Sequence, residues 1–327
     1  MPSLSTLLLA LATVSLALAH PVHEHAQARR DIRIIGQTSS SLVRRQDAPE
    51  LQALVDGNRS FRDADPALLK KLADDGQEPP FLYLGCSDSR VNDGTIFNAK
   101  PGTFFSERNI ANQFHSTDGN TESVLAYGVS VLGVKHIVVM GHYGCGGVAA
   151  AIASRPIGKV DAANGAVQNW IEPIRELFAS SSRPEIVELR ERIKGRTDVE
   201  EPENNEPGFR ALVEENVKAS VGRIAQDSII TNHYSLLASN SSETANERRA
   251  EGGPAANVFI HGWVYDIENG EIKDLGISVG PPGQPIPAIP FAKVAGVAAS
   301  AAQTDHTVQV RCEEMCKSKR SFLPANH

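Results

Sequence analysis

Basic residues are scarce in this chain: 32 Lys and Arg stand against 39 Asp and Glu, a formal charge of −7. A net negative surface repels phosphate backbones and anionic headgroups, which argues against nucleic acid and membrane as partners. Apolar runs long enough to cross a bilayer are absent as well. Cysteine is rare, with four in 327 residues, which in an oxidising compartment would usually mean two disulfides. No internal repeat is present, so a solenoid or propeller is not indicated. What remains is enough chain for one α/β domain with a substantial core.

The N-terminal stretch has its own character. Residues 1–19 hold a short apolar run, Leu7 to Ala19, ending in Ala17-Leu18-Ala19, which reads as a secretory signal peptide. Residues 20–45 are polar, carry His20, His23 and His25, and contain the dibasic pairs Arg29-Arg30 and Arg44-Arg45. This segment reads as a propeptide, with the mature chain starting near Gln46. Its loss removes five arginines against only Glu24 and Asp31, leaving the remainder more acidic. The expected product is secreted and extracellular. Asn58 and Asn240 each open an Asn-x-Ser sequon and are candidate glycan acceptors.

Two stretches organise the rest. Residues 81–90, FLYLGCSDSR, and residues 136–147, HIVVMGHYGCGG, each begin as an apolar run and break at a glycine. Such runs read as strands of a parallel sheet, buried on both faces. Sites in open α/β sheets form beyond the carboxyl ends of strands, where Cys86, His142 and Cys145 emerge. Two thiolates and one imidazole suit zinc, and three protein ligands leave a fourth position open. The plainer alternatives are small buried cysteines and a loop-bonding histidine. In an oxidising compartment Cys86 and Cys145 could instead bridge, and Cys312 and Cys316, four residues apart, could pair or stay free. Asp88 and Arg90 place a carboxylate and a cation beside the site, and Gly144, Gly146 and Gly147 permit close backbone approach around Cys145.

Residues 86–90 (CSDSR), 108–112 (RNIAN), 141–147 (GHYGCGG) and 261–263 (HGW), in that order, resemble the β-class carbonic anhydrases. The resemblance runs from about Leu51 to Ser278, within a domain taken as residues 46–280; residues 281–327 form a Pro-rich segment and tail. It implies one Zn²⁺ per subunit on Cys86, His142 and Cys145, and reversible hydration of carbon dioxide to bicarbonate by zinc-bound hydroxide. It implies Asp88 and Arg90 as a gating pair, with Asp88 a fourth ligand only in a closed state. It further implies a substrate shell of Gln77, Phe105, Ile110, Tyr127 and the Gly146 N–H. Gln77, Phe105 and Tyr127 then serve the zinc of a neighbouring subunit, in a homodimer or higher even oligomer. The expected resting state at neutral pH is open, with Asp88 paired to Arg90.

The expected fold is α/β: a mostly parallel sheet of about four strands, an antiparallel strand at its edge, and flanking helices. Helical stripes fall at residues 49–63, 66–74, 122–132, 167–178 and 209–226, and residues 257–266 and 271–277 flank a hairpin turn. A cysteine phosphatase is disfavoured, because only three residues separate Cys86 from Arg90 and Asp88 repels phosphate. A secreted non-catalytic zinc binder and a hydrolase of carbon disulfide or carbonyl sulfide are the remaining rivals.

Overall fold

The computed structural model describes residues 48–158, 161–239 and 256–294. Helix α1 (Pro49–Ala64) buries none of its residues and leaves Leu51, Leu54, Val55 and Phe61 exposed. It crosses the division, between Arg59 and Ser60, of two compact units, and the unit that begins at Ser60 holds the sheet. Helix α2 (Pro66–Asp75) starts where Asp65 accepts a hydrogen bond from the Leu68 N–H and Pro66 supplies a pre-set φ, and the short helix α3 (Asp93–Ile96) starts where Asn92 accepts from the Thr95 N–H.

Among the described residues the sheet has six strands: β1 (Phe81–Cys86), β2 (Phe104–Asn109), β3 (His136–His142), β4 (Phe259–Tyr265), β5 (Ile272–Val279) and β6 (Ala292–Lys293). Their order is β2-β1-β3-β4-β5-β6, and the first four are mutually parallel. Strand β5 returns antiparallel to β4, with a bulge at Gly262/Trp263. The antiparallel edge expected from the sequence is therefore present, and it is two strands wide, because β6 pairs outside β5 through Lys273–Ala292 and Asp274–Lys293. Two paired residues inside a Pro-rich stretch are too short to show a period of two, which is why the sequence reads as merely extended there.

Both faces of the sheet are covered, as continuous apolar strands require. Alternate side chains divide between them. Leu82, Leu84, Cys86, Ile137 and Val139 enter the larger core, while Tyr83, Val138, Met140 and Trp263 enter the smaller one with Phe97, Phe104 and Phe291. The larger core is closed by α5 (Gly146–Ile152), α7 (Glu172–Ser180), α8 (Pro184–Ile193) and α9 (Pro207–Gln226). On α9, Val213, Val217 and Val221 recur every four residues and form one buried row. That row lies on glycines: a Cβ on Gly141 would stand 2.6 Å from Val217 Cγ2, and one on Gly262 would stand 3.3 Å from Val217 and Val221. The two glycines therefore set how closely the helix sits on β3 and β4.

The stripe of residues 167–178 is two helices, α6 (Ala162–Trp170) and α7, because Pro173 lacks an N–H and sits in the first turn of a new helix. Residues 119–132 form α4 (Gly119–Tyr127) and then a π turn, Gly128–Leu132, stopped by Gly133 at φ 64°. Helices α8 and α10 (Ser228–Ser239) escape sequence reading. In α8 only Ile186 and Leu189 are buried, too narrow a stripe to stand out from its charges. The signal and propeptide segments, Asn240, Cys312 and Cys316 lie outside the described residues.

Candidate metal centre

Cys86 ends β1, His142 ends β3, and Cys145 caps the N-terminus of α5. All three are buried, and their ligand atoms lie within 4.8 Å of one another. Tetrahedral zinc with Zn–S bonds of about 2.3 Å holds two sulfurs about 3.8 Å apart; the Cys86 and Cys145 sulfurs are 3.9 Å apart, with both cysteines free rather than bridged. His142 Nδ1 donates to the Tyr143 carbonyl at 3.1 Å, which turns Nε2 inward, and Nε2 is buried without a hydrogen-bond partner. The donor set therefore fits zinc in number, type and spacing.

The sulfurs are prepared for a cation. Hydrogen bonding from Cys145, helped by His142, lowers the Cys86 pKa to about 4. The same contact and burial push the Cys145 thiol up. Binding of a divalent ion takes both sulfurs as thiolates and releases the thiol protons. The backbone N–H of Ala111 also points at Cys86 Sγ, at 3.4 Å.

That last contact rests on unusual backbone. Ala111 and Asn112 have φ of 62° and 46°, the left-handed region that non-glycine residues rarely adopt. Helix α9 holds the turn in place: Asn216 Nδ2 donates to the Ala111 carbonyl at 2.7 Å, and Ser220 Oγ to the Asn112 carbonyl at 3.1 Å. Arg108, from the same motif, donates to the carbonyls of Cys86 and Asp88 at 2.9 and 2.7 Å and pins the loop after β1.

Asp88 and Arg90 form a two-pronged pair, Nε to Oδ1 at 2.9 Å and Nη2 to Oδ2 at 2.7 Å. Arg90 Nη2 also donates to the Gly144 carbonyl at 3.1 Å, joining the two ligand loops. Asp88 Oδ2 lies 3.8 Å from His142 Nε2, so the carboxylate borders the space the three ligands enclose. The Arg90 guanidinium lowers the Asp88 pKa to about 2.

The remaining candidates divide. Ile110 reaches the site, since a Cβ on Gly147 would stand 2.6 Å from Ile110 Cγ2. Gly146 opens α5 next to Cys145. Phe105 and Tyr127 instead pair with each other, ring centres 5.7 Å apart. Phe105 is level with Leu82 on β1 whereas Asn109 is level with Cys86, which puts Phe105 about 13 Å down the strand from the ligand end. Gln77 is exposed ahead of β1, and Asn58 is exposed on α1. Within one chain the structure does not bring Gln77, Phe105 and Tyr127 to the cysteines.

Sequence reading assigned no role to a buried group behind the second ligand loop. Tyr143 donates to Glu214 Oε1 at 2.7 Å, and Glu214 Oε2 pairs with Arg183 at 2.6 Å. The Arg210 guanidinium stacks 3.5 Å over the Tyr143 ring and pairs with Asp266. Glu214 is 71 residues from Tyr143, so only the adjacency of Tyr143 to His142 hinted at it.

A six-stranded, mostly parallel sheet with two thiols and an imidazole at adjacent strand ends defines a zinc-binding α/β protein with a catalytic ligand count. The family model for carbonic anhydrase matches residues 81–272. A carbonic anhydrase of Emericella nidulans is 33% identical over 68% of this chain and 82% of its own length. One of Pseudomonas aeruginosa is 32% identical over 69% of this chain and 87% of its own. Among solved structures, a tetrameric β-carbonic anhydrase of Sordaria macrospora superposes with a TM-score of 0.51 and 29% identity, over 71% of this chain and 100% of that one. This chain belongs to the carbonic anhydrase family, in its β class, and is a zinc enzyme of that kind.

Proposed function

We propose that this enzyme catalyses the reversible hydration of carbon dioxide to bicarbonate and a proton, on a site held by Cys86, His142 and Cys145. The observation that carries this reading is the buried, unpartnered His142 Nε2 facing two sulfurs, with the Asp88–Arg90 pair at its border. Zinc, when bound there, supplies Lewis acidity that makes water nucleophilic at neutral pH. Asp88 accepts the hydrogen bond that orients the attacking oxygen. Arg90 holds Asp88 aside, using both prongs on the carboxylate and a third bond on the Gly144 carbonyl. Ile110 supplies apolar wall for an uncharged substrate, and the Gly146 N–H donates to the anionic product.

Gln77, Phe105 and Tyr127 complete the site of a second subunit in a homodimer or larger even oligomer. The separation of the Phe105–Tyr127 pair from the cysteines, and the exposed row Leu51, Leu54, Val55 and Phe61 on α1, support this arrangement. The mature chain is secreted and carries glycan on Asn240 or Asn58, a reading supported by residues 1–45 and the two sequons. The test is carbon dioxide hydration measured together with zinc content. Stoichiometric zinc with no hydration, or turnover of carbonyl sulfide alone, refutes the assignment.

A further inference from the structure

Arg223, near the end of α9, is the one arginine among the described residues with no hydrogen bond or ion pair. Every other described arginine is engaged. Its Nη1 is buried without a partner. Burial lowers its pKa, and Glu176 offsets this electrostatically without forming an ion pair with it. Arg223 is half-buried, and the described residues supply its guanidinium with no hydrogen-bond partner, so its donors are available to a group from outside the chain.

The guanidinium lines a cleft of about 550 Å³, large enough for a small organic molecule. Ser116, Thr117 and Ser228 are among its lining residues, as is His115, whose pKa is lowered by burial and by Arg223. Glu122 and Asp227 also line it. Asp227 is occupied in part, its Oδ1 accepting from the Ile229 N–H at 2.8 Å. The two carboxylates outweigh the one cation, which weighs against any anion and most against a dianion such as phosphate; a planar, singly charged carboxylate offsets this through a two-pronged fit to the guanidinium fork. None of the lining residues belongs to the metal centre.

We propose that this cleft is a second ligand site that binds a small monocarboxylate, with both carboxylate oxygens on Arg223 and hydroxyl donors from Ser116, Thr117 or Ser228.

The probe is 4-bromobenzoate, applied to the zinc-loaded full-length enzyme. Bromine anomalous diffraction separates this cleft from any binding near zinc. Isothermal titration then compares the wild type with Arg223→Met, which keeps the apolar stem, and with Thr117→Val on the exposed loop. Expected are a bromine peak in the cleft with the carboxylate on Arg223, and affinity there reduced about tenfold or more by Arg223→Met. Thr117→Val should weaken binding less, acetate should compete and inorganic phosphate should not. Zinc content and carbon dioxide hydration should stay unchanged in both variants. The proposal is overturned by an empty cleft, by an unchanged isotherm in Arg223→Met, by phosphate competing as well as acetate, or by a partner subunit's carboxylate already seated on Arg223.

Discussion

Replacing Glu214 by alanine tests whether the group behind the second ligand loop positions it. Glu214 is 3% exposed, accepts from Tyr143 at 2.7 Å and pairs with Arg183 at 2.6 Å. Removing one member of a buried ion pair typically costs 3–5 kcal/mol, because the other charge is left uncompensated, and about 3 kcal/mol is expected here. The lower end applies because Arg183 keeps Glu185 at 3.3 Å and Glu215 at 3.4 Å. Tyr143→Phe removes only the hydroxyl and leaves Glu214 on Arg183, so its cost should be nearer 1.5 kcal/mol. Both changes loosen the carbonyl that orients His142, and zinc affinity should fall by about tenfold in Glu214→Ala. Urea unfolding of the zinc-loaded enzyme at one fixed protein concentration measures the first effect, since binding and assembly both shift apparent stability. Competition with a chelator measures the second. Stability of Glu214→Ala within about 0.5 kcal/mol of wild type, the range of ordinary surface changes, would show that the group holds nothing.

Cys86→Ser and Cys145→Ser should each lose zinc and hydration activity together; full zinc stoichiometry by elemental analysis in both would remove them from the ligand set. Mixing inactive Cys145→Ser and Tyr127→Ala subunits should restore activity, because one complete site forms when Tyr127 acts across the interface; no recovery after co-refolding would place Tyr127 in its own chain's site. Asp88 titrates at about 2, below its ordinary 3.8. Its pairing with Arg90 therefore stabilises the fold above about pH 4, and that contribution is lost as pH falls towards 2. In ¹³C-carboxyl NMR, Arg90→Met should raise the midpoint towards the ordinary value, whereas an unmoved midpoint would mean Arg90 is not what holds it down. Gly141→Ala should destabilise the fold by about 1–3 kcal/mol through overpacking against Val217; unchanged unfolding would mean that α9 has room to move.

The sequence by itself determined what local pattern can carry. Apolar runs at residues 81–86 and 136–142, each broken near a glycine, mark strands buried on both faces, because burial leaves its pattern on consecutive residues. The chemistry of Cys86, His142 and Cys145 was legible for the same reason: the first two end their strands and Cys145 follows three positions on, and strand ends are where such sites form. The helix limits were less legible where charge diluted the apolar stripe, as in α8, or where Pro173 restarted a helix inside one continuous stripe. Only the tertiary structure decided that the two sulfurs stand at a metal-binding spacing, and that Ala111 is held left-handed by Asn216 with its N–H on Cys86. It alone joined Tyr143 to Glu214 and Arg183, and left Arg223 without a partner beside a cleft. These contacts join residues tens of positions apart, and side-chain periodicity carries no information about which distant groups a sheet brings together.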